Sequence, residues 1–335
     1  MAERVAVLGA GSWGMAMAAL LNKNGASVKL WEFNPVDFET IANNRCHPAK
    51  LPQVKLAEAI DVTNDLGHAL AGVDWIVLAV PSQSLRSALA QARGTDFKNA
   101  VFVNLAKGIE TTSLKRMSEV IEEELKVAPE QIATLSGPSH AEEVVADLPT
   151  AVVAAGSSPE LMGRIQNVFS NQSFRVYQTD DLCGVELGGS LKNIIAIAAG
   201  VTAGLGMGDN TMGALITRGL AEITRLGVTM GARPETFAGL SGIGDLVTTC
   251  SSRHSRNRYV GEKIGQGMKL ADVLAQMTMV AEGVETTRSG SSLAEKYNVE
   301  MPITREMYDV LFNNKPPAEA VDDLMGRKLK AEIWR

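Results

Sequence analysis

Residues 4–14 read Arg-Val-Ala-Val-Leu-Gly-Ala-Gly-Ser-Trp-Gly, an apolar run followed at once by glycines at positions 9, 11 and 14. The run Arg4–Leu8 predicts a buried strand, and Ser12–Asn24 predicts the helix that follows it. Each glycine then has a geometric task in a strand–turn–helix unit. Gly9 allows the tight turn, Gly11 lets a pyrophosphate approach the backbone, and Gly14 lets helix and strand pack closely. The start of the helix adds free N–H groups and partial positive charge for phosphates. In this context the G-x-G-x-x-G pattern points to a dinucleotide-binding βαβ unit.

The next predicted strand, Ser27–Glu32, ends on an acid 18 residues after Gly14. A carboxylate there suits the adenosine ribose hydroxyls and repels a 2′-phosphate, so the cofactor is read as NAD or NADP with a lean toward NAD. A solvated glutamate at a strand end is the competing reading of Glu32. Trp31 and Phe33 beside it stay open between core and adenine-flanking positions. Further strands are predicted at Asp74–Val80, Val101–Ala106, Ala133–Ser136, Ala151–Ala155 and Phe174–Gln178, with a helical piece near Leu66–Ala71 and other helices between strands. Near-continuous apolar strands separated by helices imply a parallel sheet covered on both faces, hence an α/β, Rossmann-type doubly wound N-terminal domain. After Thr179 the pattern turns helical: Leu182–Ala203, Met212–Met230, Arg256–Gly265, Glu282–Tyr297, Pro302–Asn313 and Pro317–Lys330. We therefore divide the chain into residues 1–180 for the dinucleotide and an all-helical substrate and catalytic domain at 181–335.

Composition narrows the function classes. With 45% hydrophobic and 21% charged residues the chain is an ordinary globular protein with a core that needs no disulfides. Cys46, Cys183 and Cys250 lack C-x-x-C spacing, and the four histidines lack ligand spacing, so no metal site is expected. A net charge of −6 argues against a broad nucleic-acid-binding face. The run Val5–Leu8 is too short for a signal peptide, and the uncharged stretches Val5–Asn22 and Asn193–Gly208 fall short of a membrane span. The expectation is a soluble, cytoplasmic protein.

Three segments carry chemistry. In Glu186-Leu-Gly-Gly-Ser-Leu-Lys192-Asn-Ile-Ile-Ala, a helix would set Lys192 among small and apolar residues. Burial there lowers a lysine pKa, and a nearby carboxylate restores it, which suits proton exchange with a substrate hydroxyl. A lysine snorkelling from a helix edge is the alternative. Lys107 follows the strand Val101–Ala106, at the sheet edge where ligands gather in open α/β folds. Asp245, in Gly239-Leu-Ser-Gly-Ile-Gly-Asp245-Leu, needs a partner if buried, and Lys192 is the one we choose. Beyond it, Ser251-Ser-Arg-His-Ser255-Arg256-Asn257-Arg258 is dense in anion-binding groups and opens a helical pattern. A solvated basic loop is the competing reading of that segment.

Taken in order, these motifs resemble the bacterial NAD(P)-dependent glycerol-3-phosphate dehydrogenases over essentially the whole chain. The resemblance rests on the glycine turn, Ala-Lys107-Gly, Ser136-Gly-Pro-Ser-His140-Ala-Glu, Gly-Gly-Ser-Leu-Lys192-Asn193, Gly-Asp245-Leu, Ser255-Arg256-Asn257-Arg258 and Val280-Ala-Glu282-Gly. It implies reversible hydride transfer between the nicotinamide and C2 of dihydroxyacetone phosphate or sn-glycerol 3-phosphate, supplying glycerol 3-phosphate for phospholipid synthesis. It further implies Lys192 as proton donor and acceptor, Lys107 beside both ligands, and Asp245 supporting the catalytic lysine. Gly137, Ser139, Ser255, Arg256 and Asn257 then surround the substrate, with Arg256 and Asn257 as the phosphate grip. Ser12, Trp13, Phe33, Lys107, Ala141, Arg256, Val280 and Glu282 contact the cofactor. A homodimer is expected because the helical half could bury a partner surface. Members specialised for NADP carry a basic group after the second strand, where this chain has Glu32-Phe33. Two other readings compete: a β-hydroxyacid dehydrogenase acting on a carboxylate, and a catalytically silent NAD-binding scaffold.

Overall fold

The apolar run before the glycine turn forms strand β1 (Arg4–Leu8), and seven more strands follow: β2 (Ser27–Trp31), β3 (Asp61–Thr63), β4 (Trp75–Leu78), β5 (Val101–Asn104), β6 (Ile132–Ser136), β7 (Thr150–Ala155) and β8 (Phe174–Thr179). The computed structural model describes residues 2–97, 100–329 and 331–332. Among them the strands make one sheet in the order β3-β2-β1-β4-β5-β6-β7-β8. β1 to β6 run parallel, with β1 and β4 buried at nearly every position, as a sheet covered on both faces requires.

One expectation fails here. β7 pairs antiparallel with β6 and parallel with β8, so the last two strands run against the rest. The connection β6–β7 contains only a five-residue helix, which returns the chain without the long crossover that a parallel partner needs.

Helices α1 (Ser12–Lys23), α2 (Pro35–Asn44), α3 (Leu66–Leu70), α4 (Leu85–Ala90), α5 (Met117–Leu125), α6 (Ala141–Val145) and α7 (Pro159–Phe169) connect the strands. α2 and β3 were absent from the sequence reading. α2 shows as an Asn34 cap followed by Pro35, and Asn34 does accept the amides of Val36 and Asp37. β3 has three residues, too few for an alternating pattern to register.

From Leu182 the chain is helical: α8 (Leu182–Gly204), α9 (Asp209–Thr229), α10 (Pro234–Phe237), α11 (Asp245–Ser251), α12 (Arg256–Gly265), α13 (Leu270–Ala275), α14 (Glu282–Lys296), α15 (Pro302–Phe312) and α16 (Pro317–Met325). α9 starts three residues before the expected Met212, and α16 stops at Met325 instead of Lys330, which lies outside the described residues. α8 is the centre of this half. Every residue from Gly184 to Thr202 is buried, so the helix is enclosed by protein on all sides, its few polar groups included. Its length and composition would suffice to cross a membrane, but 89% of that stretch is covered by protein, as befits a core helix.

Parallel register gives the sheet one functional rim. Leu8 pairs with Trp31 and Leu78, Trp31 with Thr63, and Leu78 with Asn104, so β1 to β5 end level, while β6 pairs Thr134 with Asn104 and runs on to Ser136. Gly9, Glu32, Lys107 and Gly137 each come one to three residues beyond those ends, on a common edge. α8 and α12 approach closely over it because glycine removes the side chains between them. A Cβ on Gly261 would sit 1.9 Å from the Ile197 carbonyl oxygen. That crossing brings the start of α12 beside Lys192.

Candidate active site

A cleft of about 520 Å³ runs along the rim, from Gly9–Trp13 and Phe33 at one end to Lys107, Lys192, Asp245 and Arg256 at the other. Its glycine end meets the demands of a pyrophosphate. Gly9 has φ +102°, a turn that L side chains rarely adopt, and a Cβ on Gly14 would collide with the Gly9 carbonyl oxygen at 1.8 Å. Gly11 faces open space, and no side chain caps the first turn of α1, so its amides remain available for an anion. Trp31 is buried, with its indole donating to the Asn64 carbonyl at 3.2 Å, which assigns it to the core. Phe33 is 70% exposed on the cleft wall and presents a free aromatic face. These residues fit a dinucleotide.

Glu32 does more than the sequence suggested. It is buried, and it accepts the Ala10 amide at 3.1 Å and the Asn34 amide at 3.0 Å, tying the glycine turn to the start of α2. Lys50, which the sequence reading missed, approaches within 4.0 Å of Glu32 and binds Asp37 at 2.6 Å. The Ser12 hydroxyl donates to the Lys50 carbonyl at 2.6 Å and lies 3.2 Å from the Met279 sulfur of the helical half. A basic group therefore does stand at the glycine end of the cleft beside Glu32, delivered by the chain after α2 and not by the residue after β2.

At the other end the Asp245 carboxylate lies between two lysines. Its Oδ2 accepts from Lys107 Nζ at 2.6 Å and its Oδ1 from Lys192 Nζ at 2.9 Å. Lys192 also donates to the Thr249 hydroxyl, which in turn donates a hydrogen bond to the Asp245 carbonyl at 2.7 Å. Lys107 also donates to the Gly137 carbonyl at 2.9 Å. Each ammonium has three N–H donors, so each keeps one for a ligand. Lys192 is 5% exposed, which excludes the snorkelling alternative. Burial lowers its pKa to about 8, with Lys107 adding to the effect and Asp245 opposing it. Burial alone would raise the Asp245 carboxyl, but the two lysines outweigh it and hold the group below its ordinary value.

Residues 4–162 match the N-terminal part, and residues 181–322 the C-terminal part, of a family described as NAD-dependent glycerol-3-phosphate dehydrogenase. The glycerol-3-phosphate dehydrogenase (NAD(P)+) of Geobacter sulfurreducens is 52% identical over 338 residues, covering all of both chains. The chain belongs to this family. Membership makes it an NAD(P)-dependent oxidoreductase. The crystal structure of glycerol-3-phosphate dehydrogenase from Coxiella burnetii superposes with a TM-score of 0.94 at 36% identity, covering 97% of this chain and 99% of that one. A D-mandelate dehydrogenase, 14% identical with a TM-score of 0.61 over 96% of this chain and all of its own, shares the fold alone.

Among the remaining expected residues, Arg256 is exposed to the cleft at the start of α12, and no ion pair holds its guanidinium among the described residues. Ser255 caps α12, accepting the Arg258 amide at 3.1 Å. Asn257 is buried: it donates to Asn193 Oδ1 at 2.9 Å and accepts the Gly283 amide at 2.9 Å. Asn193 in turn donates to the Lys107 carbonyl at 3.3 Å, so this chain of amides joins α12, α14, α8 and the β5 loop. Glu282 accepts the Ser82 amide at 2.8 Å and the Ser82 hydroxyl, bridging the two halves beside the cleft. Ser139 donates to the Gly137 carbonyl at 2.9 Å, while Ala141 opens α6 and Val280 is exposed on the cleft wall. Sequence reasoning missed Thr249, Asn193 and Ser82. Thr249 was legible in principle, four residues after Asp245 and hence one turn along the same face.

Proposed function

We propose that this chain interconverts dihydroxyacetone phosphate and sn-glycerol 3-phosphate with NAD(P), and that its glycerol 3-phosphate feeds phospholipid synthesis. The observation that carries the reading is one buried carboxylate shared by Lys107 and Lys192, with Arg256 free beside them. Arg256 takes the phosphate through paired N–H donors, and the remaining N–H of Lys192 meets the C2 oxygen. Bound NAD(P)H supplies the hydride that reduces C2. Lys192 donates its proton to the alkoxide as it develops, and in the reverse direction takes the proton from the C2 hydroxyl. Lys107 adds a second positive charge near that oxygen. Asp245 orients both ammonium groups and compensates their burial. Holding the substrate by its remote phosphate keeps C2 in reactive orientation.

Gly9, Gly11, Ser12, Trp13 and Gly14 would cradle the pyrophosphate, Phe33 the adenine, and Glu32 the ribose. The carboxylate of Glu32 favours NAD, and Lys50 tempers that preference. The same reading gives residues 1–180 to the cofactor and 181–335 to the substrate, in a cytoplasmic homodimer. Absorbance at the nicotinamide band, with dihydroxyacetone phosphate and NADH or NADPH, is the direct test, and small keto acids serve as controls. Oxidation of cofactor by keto acids but not by dihydroxyacetone phosphate would overturn the assignment. Arg256→Ala should weaken triose phosphate binding by about 1.5–3 kcal/mol, the scale of a charge-assisted hydrogen bond, and leave NADH binding nearly intact.

A further inference from the structure

The loop joining β6 to α6, Ser136-Gly-Pro-Ser-His140, contains a group that the mechanism above does not use. Gly137 turns the chain at φ +135°, and its carbonyl is fixed by Lys107 and by the Ser139 hydroxyl. The His140 carbonyl accepts the amides of Glu143 and Val144, so the loop is fixed at its far end too. The imidazole of His140 lines the cleft. It faces the ring of His254 across the boundary between the halves, with centroids 5.8 Å apart and planes inclined by 50°. Its Nε2 is buried and has no hydrogen-bond partner. Among the described residues only three side-chain polar atoms share that condition, and a second, Ser136 Oγ, belongs to the same loop. An unmet buried nitrogen costs about 1–3 kcal/mol, a cost that a ligand reaching it through a small turn of the ring toward the cleft would relieve.

The surroundings select the ligand atom. Lys192, Lys107, Glu142 and Asp245 act electrostatically on the ring, and His254 stands beside it. Burial and the two lysines push the imidazole below its ordinary pKa, so it is neutral at pH 7. A neutral imidazole nitrogen either donates or accepts, and a hydroxyl complements both states, whereas a phosphate only accepts. The phosphate already has Arg256, and the C2 oxygen has Lys192. The one polar group of the triose phosphate still without a partner is the hydroxyl on C1.

We propose that His140 Nε2 binds the C1 hydroxyl of the substrate and so makes the enzyme select a hydroxymethyl ketone over a methyl ketone. This deepens the function proposed above and rests on it. The test compares kcat/KM for dihydroxyacetone phosphate and for hydroxyacetone phosphate, which has a methyl group in place of the C1 hydroxymethyl. The enzymes compared are the unmodified protein, His140→Phe and His140→Gln. The unmodified enzyme should favour dihydroxyacetone phosphate by about tenfold to a hundredfold, since a site built to pair a hydroxyl rejects an analogue without one. In His140→Phe, which keeps a ring against His254, that ratio should fall to near one with the KM for NADH unchanged, and His140→Gln should restore part of it. Equal loss on both substrates, as for a phosphate contact or a merely structural ring, overturns the assignment, and so does an unchanged ratio. Absence of turnover of dihydroxyacetone phosphate by the unmodified enzyme would instead overturn the underlying function. If His140→Phe does not fold, the unmodified enzyme still decides: no discrimination between the two ketones refutes the proposal.

Discussion

Lys192, the proton-transfer group of the proposed reaction, is buried against Asp245 and Thr249 with one N–H uncommitted. Lys192→Ala should lower turnover by roughly 10²–10⁴, the scale of a positioned acid–base group. Folding should be retained because Asp245 keeps Lys107 as a partner, and circular dichroism with a thermal melt checks that point. Near-normal turnover in the folded variant would remove Lys192 from the reaction. Its pKa of about 8 also fixes the sign of the pH dependence. Ketone reduction needs the charged lysine, so kcat/KM for dihydroxyacetone phosphate should fall as pH rises through about 8. Alcohol oxidation needs the neutral lysine, so kcat/KM for glycerol 3-phosphate should rise to a plateau over the same range. Parallel profiles in the two directions would contradict the assigned role. Lys192, Lys107 and Asp245 were each legible in the sequence as unusual residues in unusual surroundings. The Lys192–Asp245 pair was chosen from the sequence, but that the same carboxylate also serves Lys107, 138 positions away, was not legible there.

At the scale of elements, the substrate end of the cleft depends on how closely α12 crosses α8. Gly261 meets the Ile197 carbonyl, and Gly200 meets the Arg258 carbonyl, where Cβ atoms would come within 1.9 and 2.0 Å. Both obstacles are backbone, so a methyl group must push the helices apart. Gly261→Ala should destabilise the protein by about 1–3 kcal/mol, as overpacking does. It should also raise the KM for triose phosphate while sparing that for NADH, because Arg256 is on α12 and the glycine turn is on the sheet. A variant with unchanged stability and kinetics would show that the crossing tolerates the added volume. Sequence reading found α8, α12 and α14 as long helical patterns with little strand signal. It missed β3 and α2, short elements whose signals end within a few residues, and it gave no sign that β7 reverses direction.

Across the whole molecule, the two halves are joined by buried polar contacts as well as by apolar packing. Glu186 of α8 accepts Arg116 Nη1 at 2.8 Å, the Ser118 amide at 2.8 Å and hydroxyl at 2.6 Å, and Thr134 on β6 at 3.3 Å. Glu186→Ala leaves Arg116 and the Ser118 amide without that acceptor. The expected cost is about 3–5 kcal/mol, the usual result of breaking one side of a buried ion pair. Urea denaturation should show it as a lower midpoint, and a shift worth under about 1 kcal/mol would assign the joint to apolar packing instead.

The glycine turn, the strand–helix alternation, the change to helix after Thr179 and the chemical types at 107, 192, 245 and 256 were set by the sequence alone. Local steric rules and burial of apolar runs act over a few residues, and such rules can be read from a string. The level ends of five strands, the α8–α12 crossing, the Asp245 bridge, the arrival of Lys50 beside Glu32 and the unmet nitrogen of His140 were decided only by the tertiary structure. Each depends on the distance between groups far apart in the chain, and that distance is set by packing the whole core.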